Sequence, residues 1–162
     1  MSDNQDNSGV SPQATGDVPG MTIEVRGQYI KDLSFENPLA PRTMQDLKDP
    51  LDISVDVNTS ARTIEDDAHE VVLAINARAT AGEDVVFIVE LVYAGLVAVR
   101  NVPRESLQPL LFIEAPRLLF PFARNIVGEA TRNGGYPPLL LNPIDFAQLY
   151  RERMAQGASG TA

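Results

Sequence analysis

Cysteine is absent from this 162-residue chain, and histidine occurs once, at position 69. Without a thiol there is no disulfide and no thiolate metal site, and one histidine does not make a zinc site. Aromatic side chains are only 6% of the residues, and no basic patch interleaves with them, which argues against nucleic-acid binding. Long apolar runs are also missing. None approaches the ~20 residues that cross a bilayer, and no basic-then-apolar leader stands at the start. The expectation is a soluble, cytoplasmic protein.

Catalytic and ligand motifs are equally scarce. His69 stands between Asp67 and Glu70 with no activated nucleophile in any recognisable pattern, and is expected to be an exposed strand-end residue. The Glu65-Asp66-Asp67 cluster, with Glu70, lacks the alternating oxygens and fixed glycine of a calcium loop, so it reads as a solvated turn. Gly134-Gly135 is not followed by Gly-Lys-Ser/Thr and is expected to end a helix rather than hold phosphate. No enzyme, metal or cofactor is expected.

What the chain does have is negative charge, unevenly placed. The net charge is −9, and between Met21 and Glu90 fourteen carboxylates stand against six Lys and Arg. Such a field keeps a protein soluble and draws basic protein partners while disfavouring phosphate backbones.

Period-two alternation dominates up to about residue 100. Ile23, Val25 and Tyr29 define one side of a first strand; Leu51, Ile53, Val55 and Val57 define a second with a wet opposite face. Lys31 to Pro50 holds three prolines and reads as a long connection. Val71, Leu73, Ile75 and Ala77 form a third strand, turned at Gly82-Glu83-Asp84 into a fourth. That fourth strand is apolar on both faces, Val85 to Tyr93 on one and Val86, Ile88 and Val92 on the other, interrupted by Glu90. A strand of that kind needs cover on both sides, and a second subunit is one source of it.

Beyond Asn101 the spacing becomes helical. A short helix is expected over Glu105 to Ile113, with Pro109 straining it. A longer one carries Leu118, Phe122, Ile126 and Ala130 at every fourth position, with Pro121 kinking it or marking its first turn. Asn142 or Pro143 opens a last helix through Met154. The class is α+β, four strands and then helices. Residues 1–20, poor in bulky apolar groups, are expected to be disordered; 21–155 form the folded domain; 156–162 form a flexible tail.

Several separate stretches resemble one family. Tyr29 to Pro38 followed by Ala40-Pro41, Glu70 to Leu73, Phe87 to Leu91 with Ala94-Gly95, Leu119 to Arg124, Gly134 to Leu139 and Leu141 to Phe146 are similar, in matching order, to SecB, the protein-export chaperone. The resemblance implies a four-stranded antiparallel sheet with helices on one face, assembled as a dimer of dimers. It implies a homotetramer that binds unfolded precursor proteins in an apolar groove and delivers them to the SecA ATPase, with no nucleic acid and no membrane insertion. Position by position, the SecA-binding set falls on Asp32, Glu36, Ile88 and Glu90, and positions that affect assembly fall on Val89 and Leu91. Phe35 and Phe87 are the expected groove residues. Two departures stand out: Val89 replaces a frequent cysteine, and the tail from Gly157 to Ala162 is short and uncharged. The rival reading is an adaptor domain that binds one folded partner through the fourth strand.

Overall fold

The computed structural model describes residues 20–44 and 49–159. The expected disorder of residues 1–20 lies, Gly20 apart, outside the described residues. Four strands, β1 (Thr22–Glu36), β2 (Asp52–Thr63), β3 (Ala68–Ala81) and β4 (Asp84–Arg100), form one antiparallel sheet in the order β1-β4-β3-β2. Because β1 pairs with β4 and not with β2, the chain between them has to travel from one sheet edge to the other. The described parts of this connection, residues 37–44 and 49–51, include a 3-10 turn at Arg42–Met44 and a cis Ala40-Pro41 bond.

The alternation expected for β3 and β4 holds from Phe87 onward, whereas an extra residue at Val86 shifts the register near the hairpin and takes Val85 out of the expected row. Val71, Leu73, Ile75 and Ala77 stand opposite Gly95, Tyr93, Leu91 and Val89 and point to the helices. Their side chains, with Phe87, are almost fully buried; burying Phe87 alone is worth about 1.5–3 kcal/mol. The first strand departs from the expectation. Extra residues in β1 at Arg26 and Lys31 shift the register against β4 twice. The first bulge turns Tyr29 to the sheet face opposite Ile23 and Val25, and the second restores the original alternation from Asp32 onward.

The two expected helices form one nearly continuous run: α1 (Arg104–Pro109), a π turn over Leu110–Glu114, and α2 (Ala115–Asn133). Prolines at 109 and 116 have no N–H to give, and between them the ladder widens so that Ala115 N–H reaches Leu110 O. Pro121 sits inside α2, neither at its start nor at a break. The buried row of α2 is Leu119, Ala123 and Val127, whereas Leu118 and Phe122 face outward at 46% and 52% exposure. Gly134-Gly135 does end the helix. Tyr136 N–H reaches Thr131 O and Gly135 N–H reaches Arg132 O, with Gly135 at φ 95°, the closure that a residue without Cβ makes at little cost.

An extended return, residues 137–145, is pinned to α2 by Arg124 Nε–H to Leu141 O (2.7 Å) and Leu139 N–H to Thr131 Oγ1 (2.8 Å). The last helix, α3 (Phe146–Ser159), starts later than Pro143, because the Asp145 carboxylate accepts the Gln148 N–H and caps it. It also runs through Gln156 to Ser159, where the sequence suggested a flexible tail. Among the described residues no helix is long and apolar enough to cross a membrane.

Candidate functional site

All helices pack on one side of the sheet, so its two faces carry different chemistry. Asp32 stands opposite Val92, Ser34 opposite Glu90 and Glu36 opposite Ile88. Directly paired residues share a face. Asp32, Glu36, Ile88 and Glu90, scattered over 59 positions of sequence, therefore lie together on the helix-free face. The three carboxylates are exposed and Ile88 is half-buried. The β2–β3 register adds Asp52, Asp56 and Asn58 to the same face, with Arg78 beside Ile88 as a basic neighbour. Between β1 and β2 a shallow depression of about 300 Å³ is rimmed by Asp32, Asp56, Asn58, Asn76 and Glu90, over a floor that includes Ala74 and Val92. Asn76 Nδ2 donates to Glu90 Oε1 (3.2 Å). This arrangement accepts a cationic side chain with an apolar stem.

The other end of that face is closed by a charge cluster. Glu70, on β3, accepts from Tyr29 Oη (2.5 Å), Lys31 Nζ (3.0 Å) and Arg62 Nε (2.9 Å), linking both edge strands across β4. These side chains lie over the carboxylate and leave it nearly inaccessible. Hydrogen bonds from Tyr29, then Arg62, then Lys31, hold its pKa at about 2. The Tyr29 hydroxyl is pushed up, first by burial and then by that carboxylate. Nearby, Arg100 and Arg26 converge on Asp67, and the Arg100 hydrogen bond leads in lowering its pKa. The acidic turn thus separates: Glu65 and Asp66 are exposed, whereas Asp67 and Glu70 are structural. Among the described residues no group of three His, Asp or Glu side chains is placed to hold a metal. His69 is not the exposed strand-end residue expected; it is buried on the helix side, with Nδ1 3.2 Å from Thr63 Oγ1.

On the helix side, Phe35 stacks on Phe87 (5.9 Å between centroids), which meets Tyr136 at 5.0 Å. Tyr136 Oη donates to Asn37 Oδ1 (2.6 Å) and lies 3.0 Å from Thr43 Oγ1, fastening the edge-to-edge connection onto the end of α2. Phe87 is buried and Phe35 half-buried beneath Gly134. An open apolar groove lies apart from this stack. It is about 450 Å³, between β2 and the extended return, and is lined by Val55, Val57, Leu141, Pro143, Ile144 and Leu149. Neither Phe35 nor Phe87 lines it. The available signal was the alternating row of β2 combined with proline-bounded leucines at 139–141. Val89 and Leu91 are fully buried within the single chain, so a neighbouring chain does not reach them directly.

With this sheet, helix order and pair of surfaces in place, the sequence matches the family described as preprotein translocase subunit SecB over residues 17–157. The chain belongs to the SecB family. Curated relatives named protein-export protein SecB include one from Mesorhizobium japonicum, 49% identical over 88% of this chain and 84% of its own. Another, from Afipia carboxidovorans, is 53% identical over 81% of each. A solved Mycobacterium tuberculosis SecB-like chaperone, in complex with an antitoxin peptide, superposes with a TM-score of 0.63 at 17% identity, covering 75% of this chain and 90% of that one. That likeness concerns the fold: a four-stranded antiparallel sheet with helices on one side. Family membership makes this a SecB-type export chaperone.

Proposed function

We propose that this SecB-family chain holds non-native precursor proteins in the cytoplasm and delivers them to SecA, working as a homotetramer without cofactor or catalysis. The observation that carries this reading is the separation of two surfaces by one sheet. The apolar groove opens on the helix side and the carboxylate patch of Asp32, Glu36 and Glu90 lies on the other. A client and a basic docking partner therefore bind at once without competing. Client affinity comes from apolar burial, at about 25 cal/mol per Å², which selects unfolded chain over sequence. Negative potential on the open face steers SecA inward. Assembly is supported by apolar side chains that the single chain leaves exposed: Leu118 and Phe122 on α2, and Ile30 and Leu33 on the edge strand β1.

Light scattering tests assembly and capture together. The expected particle is near four times 17.6 kDa and retains an exported protein added during refolding but not its folded form. A monomer that ignores the refolding client refutes the proposal. Charge reversal at Asp32, Glu36 and Glu90 should weaken SecA binding by tenfold or more, since each loses an attractive pair of about 1 kcal/mol and gains a repulsion, while client capture stays intact. Equal loss of both activities would show that the patch is not a separate docking site.

A further inference from the structure

The helix-free face carries a second depression, next to the one that the carboxylates border. Asp56, Asn58, Ser60 and Arg62 stand opposite Asn76, Ala74, Val72 and Glu70 in the β2–β3 register, so all eight share that face. Asp56, Asn58, Ala74 and Asn76 border the acidic depression. Ser60, Arg62, Glu70 and Val72, joined by Lys31 from β1, line the next one along the same two strands, about 370 Å³ in volume. The two depressions lie end to end. Ala74 and Val72, both half-buried, are consecutive steps of the track that joins them.

This second depression has the opposite sign. Its lining holds two cations, Lys31 and Arg62, against the single carboxylate of Glu70, which leaves positive charge in excess. Glu70 is covered, whereas Lys31 and Arg62 keep 39% and 66% of their side chains exposed. Glu70 does not use up either cation. Arg62 gives it the Nε–H and Lys31 a single ammonium hydrogen, so the terminal guanidinium hydrogens and the rest of the ammonium remain for an incoming acceptor. Ser60, exposed beside them, adds a hydroxyl. Of the neighbouring acids, Asp67 is held by Arg26 and Arg100, and Glu65 and Asp66 lie in the turn beyond Arg62, outside the lining.

We propose that the helix-free face reads two charges of opposite sign on one extended partner segment. A Lys or Arg enters the depression bordered by Asp32, Asp56 and Glu90, and an Asp or Glu is received by Lys31, Arg62 and Ser60. The inference rests on the docking reading of the acidic face and specifies the partner's chemistry beyond its basic charge. Asp56 and Ser60 are separated by about 13 Å at the rise of a strand. Two side chains four positions apart on an extended segment have that spacing and point the same way. A segment that is merely basic fills one depression and is repelled at the other. Charge of one sign thus draws the partner to the face, and the opposite sign farther along fixes how it lies.

The test is the sign of a charge placed at Ser60. SecA affinity is measured by titration calorimetry at low salt for the full chain and for its Ser60→Lys and Ser60→Asp variants. A face that only attracts a basic partner gains affinity from the added carboxylate and loses it with the added ammonium. The two-charge reading requires the reverse. Ser60→Lys should tighten binding by roughly fivefold, and Ser60→Asp, which pairs with Lys31 and Arg62 and repels the partner's carboxylate, should weaken it by about as much, the scale of one exposed ion pair. Particle mass should not change, since Ser60 is an exposed residue of the helix-free face. Synthetic peptides of about nine residues, a common strand length, give a second reading on the unaltered chain. Lys and Glu four positions apart should bind roughly fivefold more tightly than the same peptide with Gln for Glu, although the Gln form is the more cationic. The opposite order of the two Ser60 variants, equal affinities for them, or equal binding of the Glu and Gln peptides overturns the second subsite. Each leaves the docking reading standing as long as charge reversal at Asp32, Glu36 and Glu90 still weakens SecA binding. SecA binding indifferent to that reversal brings down the docking reading and this one with it.

Discussion

Replacing Glu70 with glutamine should cost the folded chain about 1–2 kcal/mol near neutral pH and almost nothing near pH 2, a loss worked from two directions. Charge-assisted bonds such as the three that Glu70 accepts contribute about 1.5–3 kcal/mol when fully desolvated. Here Lys31 and Arg62 remain 39% and 66% exposed, so each of those pairs falls in the range of a few tenths to about 1 kcal/mol. The half-buried Tyr29 bond adds about 1 kcal/mol. Glutamine keeps one acceptor oxygen but loses the charge and turns an NH₂ toward a donor, so most of that sum disappears.

Titration sets the ceiling. A carboxyl held at about 2, against an ordinary 4.5, corresponds to at most about 3 kcal/mol at 1.36 kcal/mol per unit, and screening at the exposed partners lowers it. The folded-state pKa is depressed, so this stabilisation is fully present above about pH 4.5 and fades as pH falls toward 2. Urea unfolding at one fixed protein concentration, repeated near pH 7, 4 and 2.5, reads the difference between the two chains. A gap under about 0.5 kcal/mol at neutral pH, or one that stays constant across that acid range, would refute the cluster's proposed weight.

Two close approaches give further tests. A Cβ at Gly95 would lie 2.7 Å from Leu119 Cδ2 in the buried contact between β4 and α2, so Gly95→Ala should destabilise by about 1–3 kcal/mol in thermal melts; an unchanged melting point would show that Leu119 can yield. A Cβ at Gly134 would come within 2.2 Å of the Phe35 ring, so Gly134→Ala should cost a similar ~1–3 kcal/mol. Phe35→Leu should restore part of it in a double-mutant cycle, and strict additivity would rule out that contact as the cause.

How much of this was readable beforehand depends on whether a feature is local. β3 and β4 keep one parity from Phe87 to Ala98, and their apolar rows gave the right faces there; an extra residue at Val86 breaks it near the hairpin. In β1 the bulges at Arg26 and Lys31 cancel each other, so the average period looks undisturbed while Tyr29 changes sides. Glu70 looked like a turn carboxylate because its partners Tyr29 and Lys31 are 41 and 39 residues away. Pro109 suggested strain and Pro121 a kink or a first turn; a π turn follows Pro109 and α2 runs on through Pro121 instead. The Gly-Ala-Ser end looked flexible because propensity disfavours helix there, yet α3 continues to Ser159.

The candidate site divides along the same line. Asp32, Glu36, Ile88 and Glu90 came from resemblance, and strand pairing explains why such distant positions lie on one face. The groove expectation at Phe35 and Phe87 followed aromatic residues, which stand out in a sequence; in the fold the two stack on the helix side, apart from the open groove beside β2, and an unoccupied strand edge has no composition of its own. Along β2 one parity governs two properties: Ile53, Val55 and Val57 present apolar side chains toward the groove and unpaired backbone toward solvent. The first property is visible as alternation in the sequence. The second follows only when β2 is known to be an end strand and one bonded rung fixes the phase, as Ile64 to Ala68 does. Strand order and one hydrogen bond thus add an unpaired backbone edge to what the sequence shows only as an ordinary apolar row.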